Sequence, residues 1–336
     1  MTKRAQKPDY MDLAMYAAGY QVSKIFLLAN DLKFFTVLAG KSLTAAQVAR
    51  KTKCDTRATE ILLDALVALG LLKKRAGCYS NGPHANAYLI EGAPDYRGNI
   101  LKHFHHLWDD WADLGYVLKR GHPRRVKEDE MLFKNRELNR EFILGMDNIA
   151  RDVAETLADK LDLSGARRML DLGGGPGTYA DVFTRKYPGL EATVFDVPLT
   201  LRVTKKLIRE RGLGHRVKMQ AGNFKTDPLG SRYDVVWGSS IIHSQSEKEI
   251  RLLFRKIRRA LVPGGRVIIH DTFLEDNRVS PPMAALFAVN MLAATKAGRS
   301  YTYSEVKRWL KQAGFGRIKQ REATPRTGII EAARLR

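Results

Sequence analysis

An apolar segment that runs into a glycine-rich turn, further apolar segments alternating with helical patterns, and a helix–turn–helix–hairpin order near the N-terminus together predict an α/β protein. Its C-terminal half is expected to be a Rossmann-like doubly wound sheet of parallel strands, preceded by an N-terminal all-helical winged-helix-like domain. At 336 residues the chain exceeds what one compact core of common size holds, so more than one domain is expected. The pattern changes place these at residues 1–92 (winged-helix-like), 93–162 (a helical connector) and 163–336 (the sheet domain).

In chain order, Leu13, Tyr16, Ala17, Tyr20, Val22, Ile25 and Phe26 recur at helical spacing between Asp12 and Leu38. Thr44 and Asp55 stand where N-caps of two further helices are expected, the second ending near Gly70. Leu71, Leu72, Gly77 and Tyr79 then suggest a short hairpin. From about Ala93 to Lys160 the pattern is helical, interrupted at Gly121-His122-Pro123. Beyond Leu163-Ser164-Gly165 the strands expected are Arg168–Leu172, Glu191–Asp196, Val217–Ala221, Tyr233–Gly238 and Arg266–Asp271, joined by right-handed helical crossovers.

Composition excludes several classes. Apolar residues make up 44% and are spread along the chain, unlike a disordered protein. No apolar run approaches membrane-spanning length and no signal core follows the short basic N-terminus, so a soluble protein without an integral membrane segment is expected. Cys54 and Cys78 have neither C-x-x-C nor zinc-ligand spacing, which predicts no disulfide framework, no metal site and a reducing, cytoplasmic setting. The net charge of +21 raises a nucleic-acid reading, yet residues 1–150 hold 23 Lys+Arg against 17 Asp+Glu, and residues 151–336 hold 34 against 19. The excess therefore lies mostly outside the helix–turn–helix region. Part of it falls on Lys248, Arg251, Arg255, Lys256, Arg258 and Arg259, either a solvated helix face or an attraction for an acidic partner or anionic lipid.

The chemistry concentrates in Asp171-Leu172-Gly173-Gly174-Gly175-Pro176-Gly177. Glycines after a strand let the backbone approach a ligand and adopt dihedrals a Cβ forbids, and the helix that follows offers unpaired N–H groups. A glycine turn alone is also compatible with a purely structural role. Asp196 follows Gly177 by 19 positions at the end of the next expected strand, where a carboxylate can accept from ribose hydroxyls. The D-x-G-x-G-x-G form differs from the G-x-G-x-x-G of dinucleotide binders, whose third glycine would fall at Thr178. This favours S-adenosylmethionine over a nicotinamide cofactor.

On these residues, with Phe195-Asp196-Val197-Pro198, Gly222-Asn223-Phe224, Ile241-Ile242-His243, Pro263-Gly264-Gly265 and Gly298-Arg299-Ser300-Tyr301-Thr302, nearly the whole chain resembles one family. It is that of the class I S-adenosylmethionine-dependent O-methyltransferases, including plant caffeate and flavonoid enzymes, acetylserotonin methyltransferase, and bacterial polyketide and carotenoid methyltransferases. The resemblance implies that Asp171, Gly173, Gly175, Gly177, Asp196 and Ser239 hold the cofactor's amino-acid and ribose parts, and that Asn223 and Phe224 meet adenine. It implies that His243 is the general base and that Asp271, 28 residues on, orients it. A hydroxyl is a poor nucleophile until deprotonated, and an imidazole, with an unperturbed pKa of about 6.5, accepts a proton near neutral pH. Without the family pattern, a lone histidine after an apolar strand is more often structural, and an aspartate at a strand end reads equally as the cap of a turn.

The resemblance also places Trp108, Trp111, Met283, Phe287, Asn290 and Met291 where members build the acceptor pocket, against a competing account as ordinary core. A small hydroxylated aromatic, polyene or polyketide acceptor is implied, as is a homodimer formed through the N-terminal domain. Three departures are visible: Asn223 where the family commonly has Asp, Ser244 where many members have Asp, and Ser300 where plant members have a second Glu. They keep open a C-methylating or non-methylating relative. A winged-helix DNA-binding regulator with a ligand-sensing second domain is the alternative from another class, but the stretch Asp55 to Gly70 offers only Arg57 for reading bases or phosphates, and no nucleic-acid partner is expected. His103, His105 and His106 are assigned to a helix surface.

Overall fold

The computed structural model describes residues 10–335 and divides the chain into two compact units, with the division after His106. The basic segment preceding Tyr10 lies outside the described residues.

In the first unit, α1 (Tyr10–Asp31) and α2 (Phe34–Val37) precede a short strand β1 (Leu43–Thr44). Helices α3 (Ala45–Thr52) and α4 (Thr56–Ala68) follow, with the hairpin β2 (Leu72–Arg75) and β3 (Cys78–Asn81), then α5 (Pro83–Tyr88) and α6 (Gly98–His106). Both expected caps form: Thr44 closes a capping box with Gln47, and Asp55 accepts from the Ala58 N–H at 2.8 Å. The helices carry a three-stranded sheet, ordered β1-β3-β2, so the wing has a third strand that two residues of sequence could not announce. Phe34, Phe35, Leu63, Leu66 and Tyr79 fill this core. The outward side of α1 is apolar, with Tyr10, Met11, Leu13, Met15, Tyr16 and Tyr20 all exposed. The histidines of α6 correct the sequence expectation. Only His106 is exposed, whereas His105 is half-buried between Asp31 and Lys24 of α1, and burial pushes the imidazole of His103 down to about 4. The cause is the packing of α6 along α1.

The second unit opens with α7 (Trp108–Ala112), α8 (Leu114–Arg120), α9 (Glu128–Phe133) and the long α10 (Arg136–Lys160). The sheet domain then runs β4 (Arg168–Leu172), α11 (Thr178–Lys186), β5 (Glu191–Asp196), α12 (Pro198–Glu210), β6 (Val217–Ala221), β7 (Tyr233–Ser239), α13 (Glu247–Ala260) and β8 (Leu261–Asp271). It ends with α14 (Pro282–Ala294), α15 (Tyr303–Gln312), β9 (Phe315–Thr324) and β10 (Thr327–Arg334). Seven strands lie in the order β6-β5-β4-β7-β8-β10-β9, all parallel except β10, which runs antiparallel to both of its neighbours.

All five expected strands are present; β8 begins five residues earlier, and the β9–β10 hairpin is an addition. Its signal was weak because β9 is an edge strand whose outward positions, such as Arg317, Lys319 and Gln320, are charged or polar and exposed.

Alternation along the strands divides the core into two layers. Leu170, Val236 and Ile269 pack with Phe254 of α13 and Trp309 of α15. Met169, Val194, Trp237 and Ile268 pack with Phe183 of α11 and Leu157 of α10. Full burial of a side chain such as Phe183 or Phe254 contributes about 2–3 kcal/mol. Of the basic stripe on α13, Lys256 donates to the Phe224 carbonyl at 2.6 Å, Arg258 to the Gly314 carbonyl at 3.2 Å, and Arg251 to Glu247 and Gln312. Half of that stripe therefore braces its neighbours, leaving Lys248, Arg255 and Arg259 as the exposed part.

Candidate active site

The strand order reverses between β4 and β7, and the crevice outside the carboxyl ends of such a pair is where open α/β sheets bind ligands. Leu172 pairs with Gly238, so Gly173 and Ser239 face each other across that crevice.

On the β4 side, Gly173, Gly175 and Gly177 all have positive φ, 63°, 50° and 72°. A Cβ on Gly173 would come within 2.8 Å of Ile241 Cγ2, so this position requires glycine on steric grounds as well. The Phe224 ring lies over the same glycine. Asp196, half-buried at the end of β5, accepts from the Gly175 N–H at 2.9 Å and the Val197 N–H at 2.7 Å. Burial raises its carboxyl to about 6, against these stabilising bonds. Asp171 is fully buried; burial first, and then Asp196, push it up to about 7, and its Oδ2 has no hydrogen-bond partner. Asn223 differs from expectation in detail, because its side-chain oxygen accepts from the Lys225 N–H at 2.9 Å and closes a local turn. One lone pair of that oxygen is already taken.

On the β7 side, His243 follows the strand in a turn, half-buried. Its Nδ1 lies 2.6 Å from Asp271 Oδ1, and Asp271 is itself held by the N–H groups of Ile242 at 3.2 Å and Thr272 at 2.8 Å. An ionised carboxylate only accepts, so Nδ1 carries the proton and Nε2 is the acceptor. Phe287 of α14 stands edge-on to the imidazole, centroids 4.9 Å apart at 89°. Gly298 lets the chain pass under His243, since a Cβ there would lie 2.3 Å from the His243 carbonyl. Ser300 is buried and donates to the Ala284 carbonyl at 2.8 Å, bracing α14, and Ser244 accepts from Gln245.

Of the acceptor candidates, Phe287 meets His243, and Trp111 Nε1 donates to Asn290 Oδ1 at 2.9 Å, tying α7 to α14. Met291 is buried, Trp108 half-buried, and Met283 sits on the exposed first turn of α14. Sequence reasoning missed the contribution of α10. Asn139, buried, donates to Thr200 at 3.1 Å, Ile143 approaches Gly175, and Asp147 accepts from Thr178 and from Arg211 and Arg151. Polar residues at i and i+8 on one buried helix face were the available signal. It missed Tyr179 and His270 as well.

The cradle fits a nucleoside cofactor bearing an amino acid: glycines where a Cβ would collide, a half-buried carboxylate at the end of the second strand, and an unpartnered carboxylate oxygen beneath the turn. Fold and site thus define a class, an α/β enzyme built around a nucleoside cofactor with a histidine–aspartate pair beside it. Residues 121–316 match the O-methyltransferase domain, and residues 14–91 the O-methyltransferase dimerisation domain. The chain is 32% identical to the 3-hydroxy-5-methyl-1-naphthoate 3-O-methyltransferase of Streptomyces sahachiroi over 90% of this chain and 88% of the relative. It is also 32% identical to the tetracenomycin polyketide synthesis 8-O-methyl transferase of Streptomyces glaucescens, over 90% and 91%. The crystal structure of human N-acetylserotonin methyltransferase in complex with S-adenosylmethionine is similar at a TM-score of 0.88 and 26% identity, over 99% of this chain and 100% of that one. The chain belongs to the family of S-adenosylmethionine-dependent O-methyltransferases. Among the described residues no helix is long and apolar enough to cross a membrane.

Proposed function

We propose that the protein methylates a hydroxyl oxygen of a small aromatic or polyketide-type acceptor, with His243 as general base. The observation that carries this reading is the His243–Asp271 pair at 2.6 Å, with Nε2 left as the acceptor nitrogen beside an aromatic edge. Asp196 would take the ribose hydroxyls, the turn Gly173–Gly177 with Asp171 and Ser239 the amino-acid part, and Phe224 with Asn223 the adenine. When bound, S-adenosylmethionine supplies a methyl group already activated by the sulfonium. His243 Nε2 would take the acceptor's hydroxyl proton, leaving that oxygen as the nucleophile toward the methyl group that the cofactor would supply. Asp271 stabilises the imidazolium that results. Alignment does the remaining work, and Phe287, Met291 and the Trp111–Asn290 link on α7 and α14 would hold the acceptor ring, with Trp108 and Met283 at the margin of that wall.

The naphthoate and polyketide substrates in the relatives' names support a fused aromatic acceptor. The dimerisation domain and the apolar outer side of α1 support a homodimer. Titration calorimetry with S-adenosylmethionine and S-adenosylhomocysteine tests the cofactor assignment: micromolar binding is expected for the wild type, with Asp196→Ala weaker by more than about tenfold. Binding unaffected by that substitution would refute the role given to Asp196.

A further inference from the structure

Two consecutive residues at the end of β8 grip the loop after β7 from opposite faces of the sheet. Asp271 points to the His243 side. His270 points to the other face, where it is buried, stacked on Trp237 with centroids 5.8 Å apart at 15°, and no step of the proposed reaction uses it. Its carbonyl accepts from the Ser240 N–H at 2.8 Å, Ser240 being a non-glycine residue at φ 57°. Its Nδ1 lies 2.8 Å from the Ser239 hydroxyl and its Nε2 2.9 Å from the Thr327 hydroxyl.

Counting donors fixes the direction of this chain. Thr324 Oγ1, in the β9–β10 turn, accepts from the N–H groups of Arg326 and Thr327, both at 3.2 Å, which uses its two lone pairs. Its own proton must then go to Thr327 Oγ1, 2.8 Å away. Thr327 in turn donates to His270 Nε2. Burial pushes the His270 imidazole down to about 4, so at neutral pH the ring has one proton, and it sits on Nδ1. That N–H donates to Ser239 Oγ, and the Ser239 proton is left over. Tyr179, the other neighbour of that hydroxyl, keeps its own proton, since burial pushes it up to about 12, and can donate it to the second lone pair of Ser239 Oγ. Ser239 stands half-buried at the rim of the crevice, opposite Gly173.

We propose that His270 is a positioning residue for the cofactor: as its Nδ1-protonated tautomer it turns the Ser239 hydroxyl into a donor aimed at the carboxylate of the bound cofactor's methionine part. The proposal rests on the reading of the crevice as the S-adenosylmethionine site. A hairpin at the edge of the sheet thereby dictates the polarity of a hydroxyl in the site.

Calorimetry with two probes tests this, S-adenosylhomocysteine, which bears the carboxylate, and adenosine, which lacks it. His270→Leu and Ser239→Ala should each weaken S-adenosylhomocysteine about tenfold, and the double variant no further. Adenosine affinity should stay within about twofold for all three. His270→Asn, whose amide nitrogen can stand where Nδ1 stood, should restore most of the affinity. Thr327→Val, outside the core of the site, should weaken the same probe by less and serves if His270→Leu does not fold. Unchanged affinity in Ser239→Ala and Thr327→Val, or equal losses for both probes in His270→Leu, would overturn the proposal while leaving the cofactor assignment intact. A wild type that binds neither S-adenosylmethionine nor S-adenosylhomocysteine would overturn both.

Discussion

The two banks of the crevice are built by different means. At the ends of β4 and β5 the chain presents mostly main chain, three left-handed glycines and N–H groups, with Asp196 tied to two of them. At the ends of β7 and β8 it presents side chains, His243, Asp271, His270 and Ser239, paired across strands. The glycines of the first bank are specified within a few residues of sequence and tolerate few changes, with Asp196 supplied by the next strand. The second depends on residues about 30 positions apart meeting in space, so each of its members can be altered singly, and the effect should scale with its distance from the proton.

The largest effect is expected for His243→Ala, which removes the proposed base while leaving the glycine bank untouched: kcat should fall at least about 100-fold with cofactor affinity retained. Steady-state rates with a hydroxylated aromatic, alongside calorimetry, separate the two banks. Asp271→Asn should cost less, about tenfold in kcat, because the imidazole remains but its tautomer and its cation lose their support. If both variants lost cofactor affinity in parallel with rate, the division into two banks would fail.

The smallest expected effect concerns pH and the first bank alone. In the proposed cofactor site only an ionised Asp196 offers both oxygens to the ribose hydroxyls, and burial holds its carboxyl up at about 6, so cofactor affinity should rise several-fold between pH 5.5 and 7.5. Asp196→Asn should flatten that profile. The free protein should behave oppositely. Between the unfolded carboxyl pKa near 4 and the folded values of about 6 and 7, the folded state keeps protons on Asp196 and Asp171 that the unfolded chain has released. Stability from these two groups therefore falls as pH rises through that window, and thermal melts with and without cofactor across pH measure the two trends.

The same division explains what could be read before the fold was known. Asp171, the glycines and Asp196 form one local pattern, and the five parallel strands around them carry the apolar runs that fully covered strands require. His243 and Asp271 were legible only through a family resemblance, because nothing local distinguishes a base from a buried histidine. His270 shows this directly: it stands next to Asp271 in the chain and is as buried, yet on spacing alone neither outranks the other. The use of Asn223 in its own turn, the bracing role of Ser300 and the inward placement of His105 depend on partners that sequence spacing does not name. The β9–β10 hairpin escaped notice because an edge strand must carry charge on its open side, which erases the alternation that reveals a strand.

The uncovered tyrosines and methionines of α1 carry a consequence for handling and for life at low abundance. In the proposed homodimer a second copy covers these side chains, which couples folding to association, so the melting temperature should depend on protein concentration. Dilution then acts as a mild denaturant, and the amount of enzyme present becomes one of the conditions for its own persistence.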